Sequence, residues 1–292
     1  MTIIKEYLNG NVKITLCDDG TKIREFDGVE RVEFPESIDL KITDYCDANC
    51  KWCHEMSTVK GLHANLDVEF INTLKSGTEL AIGGGNPLSH PELIPFLKKL
   101  KNKGIIANLT VNQYHLRQNI PLLERLISEK LIYGLGISFS FASDLLTDFA
   151  QKHSNVVIHV INGLITENQL DFLSNKNLKM LILGYKDFGR GIEYNSDVRK
   201  FVIGQNQKYL YKNLPQLIKK FNTVSFDNLA VTQLNVQRIF TSDLWEQFFL
   251  GEDGSNTMYI DLVKQEFALN SRSDIRYKLL NNTIDMFNRI KK

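Results

Sequence analysis

Cys46, Cys50 and Cys53 stand in the run Asp44-Tyr-Cys-Asp-Ala-Asn-Cys-Lys-Trp-Cys-His54, a C-x3-C-x2-C spacing with no fourth cysteine nearby. Clustered thiolates are ligands for iron–sulfur clusters or zinc. A [4Fe–4S] cluster has four irons, so three thiolates leave one iron open to a substrate or cofactor. The competing chemistry is a zinc site of Cys3His type with His54 as fourth ligand. That arrangement is weakened because Cys53 and His54 are adjacent, whereas zinc sites usually set one ligand pair against a distant second pair. A disulfide or three unrelated buried thiols fits the spacing less well. The remaining cysteine, Cys17, reads as a small apolar residue.

Such a loop needs elements to hold it. Residues 37–43 read as a strand ending directly before Cys46. Residues 69–76 read as helical, and 79–82 as a short strand running into Gly83-Gly84-Gly85-Asn86-Pro87. Ser89-His90-Pro91-Glu92 has the signature of a helix start, with a capping serine three residues before a glutamate. Leu93, Phe96, Leu97 and Leu100 follow at helical spacing. Further strands over 105–111, 135–141, 156–162, 178–183 and 223–226 alternate with helices over 122–128, 166–173 and 214–221. The helix from 166 opens with a Thr-x-x-Gln cap.

Strands and helices alternating at this spacing imply an α/β fold with a parallel sheet and right-handed crossovers. Six such units build a partial (β/α)6 TIM-like barrel over 36–225. It is preceded by an N-terminal β-hairpin over 1–35 that turns at Asp18-Asp19-Gly20. A small C-terminal extension over 226–292 reads as a strand hairpin, 257–263 with 266–270, and a terminal helix over about 273–291. In a sheet of this kind the loops after the strands' C-terminal ends build the site. Cys46, the glycine run, Asn112, Ser140, Asn162 and Lys186 all fall at or near such an end.

The triad, with Trp52 before its last cysteine, resembles the signature of the radical S-adenosylmethionine (radical SAM) superfamily. Gly84-Gly85-Asn86-Pro87 resembles that superfamily's Gly-Gly-Glu-Pro motif. The resemblance covers about residues 36–190 and is greatest to small stand-alone members without auxiliary-cluster segments. It implies a partial (β/α)6 barrel carrying a [4Fe–4S] cluster on Cys46, Cys50 and Cys53, with SAM chelating the open iron. The reduced cluster would pass one electron to the sulfonium, releasing methionine and a 5′-deoxyadenosyl radical that abstracts a hydrogen atom from substrate.

The same resemblance assigns Gly84, Gly85, Asn86 and Pro87 to the methionine amino group of SAM. Asn86 stands where the family has glutamate. Its amide oxygen accepts a hydrogen bond without charge assistance, so SAM binding would lean more on backbone carbonyls. Trp52 and His54 would approach adenine, largely through their backbone. Ser138 and Ser140 alternate on a strand and so point the same way, towards the SAM carboxylate or ribose. His159 and Asn162 are candidates for ribose or adenine, and Lys186 and Arg190 for SAM or an anionic substrate group. Asp227 and Asn228, ending the last barrel strand, are the catalytic-site candidates for substrate contact, followed by Asn112 and Gln113. Each of these polar positions also has a plain structural reading as a loop cap, strand serine, core histidine or surface charge.

Composition bounds the partners. Lys+Arg 35 against Asp+Glu 34 gives a net charge of +1, so no long-range basic field favours nucleic acid or an anionic membrane. No apolar stretch approaches the ~20 residues that span a bilayer, and the first residues lack a signal peptide's apolar core. The expected compartment is the cytoplasm. The expected partners are a small-molecule or peptide substrate and an electron donor such as flavodoxin or ferredoxin. The alternative class is a non-catalytic iron–sulfur or zinc protein using the triad for electron transfer or structure.

Overall fold

The computed structural model describes residues 1–291. It opens with three antiparallel strands, β1 (Ile3–Asn9), β2 (Val12–Cys17) and β3 (Lys22–Glu25), in the order β1-β2-β3. The expected hairpin is thus the β2–β3 half of a three-stranded sheet. Sequence reading missed β1 because its burial alternates only weakly, so no clean two-residue period marks it.

A ten-stranded sheet follows. Its parallel part comprises β4 (Ser37–Thr43), β5 (Glu79–Gly84), β6 (Ile106–Asn112), β7 (Gly134–Ser138), β8 (Val156–Ile161), β9 (Lys179–Leu183) and β10 (Thr223–Phe226). These strands neighbour one another in chain order, as right-handed crossovers of one helical layer produce. The crossovers are α1 (Leu93–Asn102), α2 (Gln113–Ser128), α3 (Asp144–Lys152), α4 (Glu167–Leu173), and α5 (Arg190–Tyr194) with α6 (Asp197–Leu217). Between β4 and β5 runs the cysteine-bearing loop, then a single 3-10 turn at Glu69–Thr73 where a longer helix was expected.

After β10, α7 (Asn228–Leu234) and α8 (Ser242–Phe248) lead to β11 (Thr257–Asp261), which pairs in parallel with the free side of β4. β12 (Glu266–Ala268) and β13 (Tyr277–Lys278) extend this side as an antiparallel meander, and α9 (Thr283–Ile290) follows. The terminal helix is therefore shorter than expected. Asn282 caps it, accepting from the amides of Ile284 and Asp285. The sheet's edges are β10 and β13, and no pairing among the described residues closes it into a barrel.

The two faces of the sheet differ in chemistry. Ile38, Leu40 and Ile42 on β4, Leu80 and Ile82 on β5, and Ile158 and Val160 on β8 are buried under the helices. The opposite face carries Asp39 and Lys41, Asn108, Thr110 and Asn112, Gly136 and Ser138, and His159. A cavity of about 280 Å³ lies against this polar face, bordered by Ala81, Asn108, Gly136, His159, Leu181 and Cys17 among others.

Two helix starts differ from the sequence reading. Ser89 does not cap α1. It lies in a 3-10 turn at Pro87–Ser89 capped by Asn86, and its hydroxyl donates to the Asn86 carbonyl at 2.6 Å. α2 begins at Gln113 rather than near 122, capped by Asn112, because Pro121 is accommodated inside the helix. The Thr166–Gln169 capping box of α4 forms as expected. No helix among the described residues is long and apolar enough to cross a membrane.

Candidate functional site

The cysteine loop leaves β4 and is tied to itself by backbone bonds. The Asp44 amide donates to Leu62 O at 2.8 Å, Cys46 to Thr58 O at 2.9 Å and Thr58 to Asp44 O at 3.1 Å. Within it, Cys53 N–H reaches Cys50 O at 3.2 Å and Met56 N–H reaches Cys53 O at 3.3 Å. Asn49 supplies a left-handed residue at φ 48° for the tight path between Cys46 and Cys50.

All three thiols are free and half-buried. Burial pushes the Cys50 thiol up to about 11, reinforced by Cys53 and Cys46 and partly offset by Arg190. Burial likewise raises Cys46. Cys46 and Cys50 therefore resist ionisation until a cationic centre compensates them, which is the electrostatic character of a thiolate metal site.

A tetrahedral zinc with bonds of about 2.3 Å holds its sulfurs within about 4 Å of one another. Among the described residues, the one such group with ligand atoms within 4.8 Å of each other is Cys46, Asp47 and His115. It holds a single member of the triad, so the three thiols are spread more widely than one zinc ion requires. His54 is also occupied elsewhere: its Nε2 lies 3.2 Å from Glu55 and 3.0 Å from Lys186 Nζ, with its ring edge-on to Phe188. Burial first, then Lys186, lowers its pKa.

The glycine run packs on the start of this loop. Gly85 N–H donates to Thr43 O at 2.7 Å and Asn86 N–H to Tyr45 O at 2.6 Å. Gly84 has φ +108°, and a Cβ on Gly85 would lie 2.1 Å from Tyr45 O, so only glycine permits the approach. Asn86 is buried, as is Pro87. The Asn86 amide donates to Asp47 at 3.3 Å while its oxygen accepts from Leu88 N–H at 3.2 Å. Asp47 also lies 2.8 Å from His115 Nε2. Partial burial raises the Asp47 pKa, but its own amide, His115 and Asn86 hold it below the usual carboxylate range.

Arg190, at the start of α5, clamps the loop from the far side. Its Nε donates to Cys50 O at 3.1 Å, its Nη2 to Ser57 O at 2.9 Å and its amide to Cys53 O at 3.2 Å. Asn112 donates through Nδ2 to Cys50 Sγ at 3.5 Å. Gln113 holds the segment after β7, accepting from the Ser140 and Phe141 amides and donating to Phe141 O.

Trp52 packs edge-on against Tyr194, and with Phe139, Ser140, Val160, Ile161 and Leu164 it borders a cavity of about 50 Å³. β7 ends at Ser138, so the alternation expected to align Ser138 with Ser140 stops two residues short of Ser140. Ser138 instead pairs in register with Asn112 on one side and His159 on the other. Burial lowers His159 to about 4, and a Cβ on Gly136 would strike its ring.

Other expected residues lie at the strand ends and bond mainly to protein, though the buried Oδ1 of Asn162 has no partner among the described residues. Asn162 donates to Gln233 at 3.0 Å. Lys186 Nζ reaches His54 and Ser271 Oγ, both at 3.0 Å. Asp227 caps α7 and accepts from Gly184 N–H at 2.9 Å, and Asn228 donates to Asp253 at 2.7 Å.

Sequence reading missed Asp47, His115, Lys41 and Glu55. For Asp47 and Glu55 the only signal was polarity beside the cysteines, for Lys41 a charge amid alternating apolar strand residues, and for His115, on α2, there was none. It also missed Asp39, an exposed carboxylate on the polar face of β4.

No protein-family model matches the chain, and no curated protein matches it. Solved structures do. SuiB of Streptococcus suis bound to precursor peptide SuiA superposes with a TM-score of 0.59 at 14% identity, covering 88% of this chain and 65% of that one. SuiB bound to S-adenosylmethionine gives 0.56 at 13% identity, covering 85% and 64%. The chain thus spans somewhat less than two thirds of SuiB in these two structures. At this identity the likeness concerns the fold alone.

Proposed function

We propose that the chain is a radical SAM enzyme, with Cys46, Cys50 and Cys53 holding a [4Fe–4S] cluster and the Gly84–Pro87 turn, Ser138 and His159 facing SAM. The observation that carries this is the contact between the two motifs. The amides of Gly85 and Asn86 bond the backbone that leads into Cys46, so the cysteine loop and the glycine turn form one cradle. The donor set fits such a cluster: three free thiols, two of them, Cys46 and Cys50, raised by burial, spread beyond the span of a single zinc ion. When bound, the cluster supplies one electron for reductive cleavage of SAM, and the resulting chemistry is hydrogen-atom abstraction from substrate.

The chain's own residues orient and exclude. Arg190 fixes the loop through three backbone carbonyls and brings a positive charge near the thiolates. Asn112 donates to Cys50 Sγ and so favours its ionised form. Ser138 and His159 make no side-chain hydrogen bond with the described residues and are available to a polar ligand. Trp52, Phe139 and Leu164 offer an apolar wall that keeps water from the adenine side.

The cavity bordered by β5 through β10 supports curvature of the sheet into a partial barrel. The SuiB structure bound to its precursor peptide supports a peptide as substrate rather than a small molecule, with Asp227 and Asn228 shaping the rim it would meet. The electron donor would be a flavodoxin- or ferredoxin-type protein of the cytoplasm.

Anaerobic reconstitution tests the proposal. Uptake of about four irons per chain, and release of 5′-deoxyadenosine on adding dithionite and SAM, are the expected outcomes. A second reading, one metal ion on Cys46, Asp47 and His115, is favoured by their mutual distances within 4.8 Å. It predicts about one metal per chain and no nucleoside product.

A further inference from the structure

Lys41 lies on the strand that feeds the cysteine loop, on the sheet's polar face, with its side chain 3% exposed. Its Nζ is 2.6 Å from Asp44 Oδ1, 2.7 Å from Glu55 Oε2 and 3.2 Å from Asp261 Oδ2. Asp44 stands two residues before Cys46 and Glu55 two residues after Cys53. Both borders of the cysteine-bearing segment therefore close on a single ammonium. Asp261 reaches the same point because β11 lies beside β4 with Asp261 opposite Lys41.

Burial works against the Lys41 charge, but Glu55, Asp44 and Asp261 hold its pKa above the usual lysine range. Three carboxylates around one ammonium are short of positive charge. Removing the ammonium would leave three like charges crowded in a space where partial burial makes repulsion costly. The segment's borders would separate, and the thiols between them would follow.

We propose that Lys41 is the positioning residue of the cysteine loop: it draws Asp44 and Glu55 together against Asp261, so the three thiols converge only with β11 in place. The proposal deepens the functional reading above, in which those thiols hold a cluster. It assigns the C-terminal strand a part in building a site that no residue of that strand touches directly.

Full-length wild type, K41M, K41R and D261N chains test it with two readouts. The first is the alkylation rate of Cys46, Cys50 and Cys53 in the apo-protein, with Cys17 as internal reference. The second is the rate of iron loss to a chelator after anaerobic reconstitution. In K41M the three loop thiols should alkylate about tenfold faster than in wild type, with Cys17 unchanged, and iron should leave about tenfold faster. K41R, which keeps the charge, should stay within about twofold of wild type, and D261N should fall between at about threefold. K41M with native circular dichroism and wild-type behaviour in both readouts overturns the proposal. If K41M fails to fold, D261N decides, and wild-type rates in that variant overturn it. A wild-type chain that takes up no iron sinks the functional reading instead, and the alkylation contrast then judges Lys41 alone.

Discussion

At the N-terminal ends of the parallel strands, charges meet in short, nearly balanced sets. Lys22 reaches Glu79 at 2.5 Å, and buried Arg24 grips Glu36 at 2.9 Å while also bonding Glu30. Asn9 satisfies the Glu33 and Phe34 amides and the Phe34 carbonyl. At the C-terminal ends the balance breaks: Lys41 faces three carboxylates, three half-buried thiols stand free, and Ser138 and His159 find no partner among the described residues. One end pairs its charges within the chain, although the buried Tyr7 hydroxyl there has no partner among the described residues, and the other leaves groups that a cofactor or substrate can complete. Incomplete charge pairing is costly, so its excess around Lys41 marks the candidate site.

The largest expected effect comes from Gly85→Ala, which places a methyl 2.1 Å from Tyr45 O. Iron uptake on anaerobic reconstitution should fall at least about tenfold. Retention of wild-type iron content would erase the distinction between a cradle and an ordinary turn. At the opposite end Arg24→Met should lower the unfolding free energy by about 3 kcal/mol in urea denaturation, since it strands buried Glu36. Its iron uptake should stay within about twofold of wild type. A matched loss of iron would mean that the two ends are not separable.

The smallest effect concerns the polar face of the sheet. The fold holds His159 neutral, with a pKa near 4 against an ordinary value of about 6.5. Its contribution is thus fully present above about pH 6.5 and is lost as pH falls towards 4. About 2 kcal/mol of stability should disappear across that window. Urea midpoints at pH 7.5 and 4.5 measure it, and His159→Gln should flatten that part of the dependence. An unchanged acid slope in the variant would place the loss elsewhere.

Much of the site was legible because its signals are local. The triad spacing, the glycine run and the strand before each lie within a few residues of one another, and the Thr166 cap behaved as its chemistry demands. Pro121 misled because proline usually ends a helix, yet α2 runs through it. Ser89 misled because Asn86, three residues earlier, captures its hydroxyl through a backbone carbonyl. Lys186 and Asp227 were rightly placed at strand ends. That position alone could not tell that His54, Ser271 and the α7 amides would occupy them.

By itself the amino-acid sequence determined the order of the seven parallel strands, the loop that carries the thiols and the glycines that let another backbone approach. Periodicity, spacing and backbone freedom act over a few residues, so they can be read along the chain. Only the tertiary structure decided that Asp261 meets Lys41, that Asn86 and His115 share Asp47, and that Arg190 grips the cysteine loop. Those contacts depend on which strand lies beside which and in what register. Register is fixed by burial of the apolar face across the whole sheet, a property that no single segment contains.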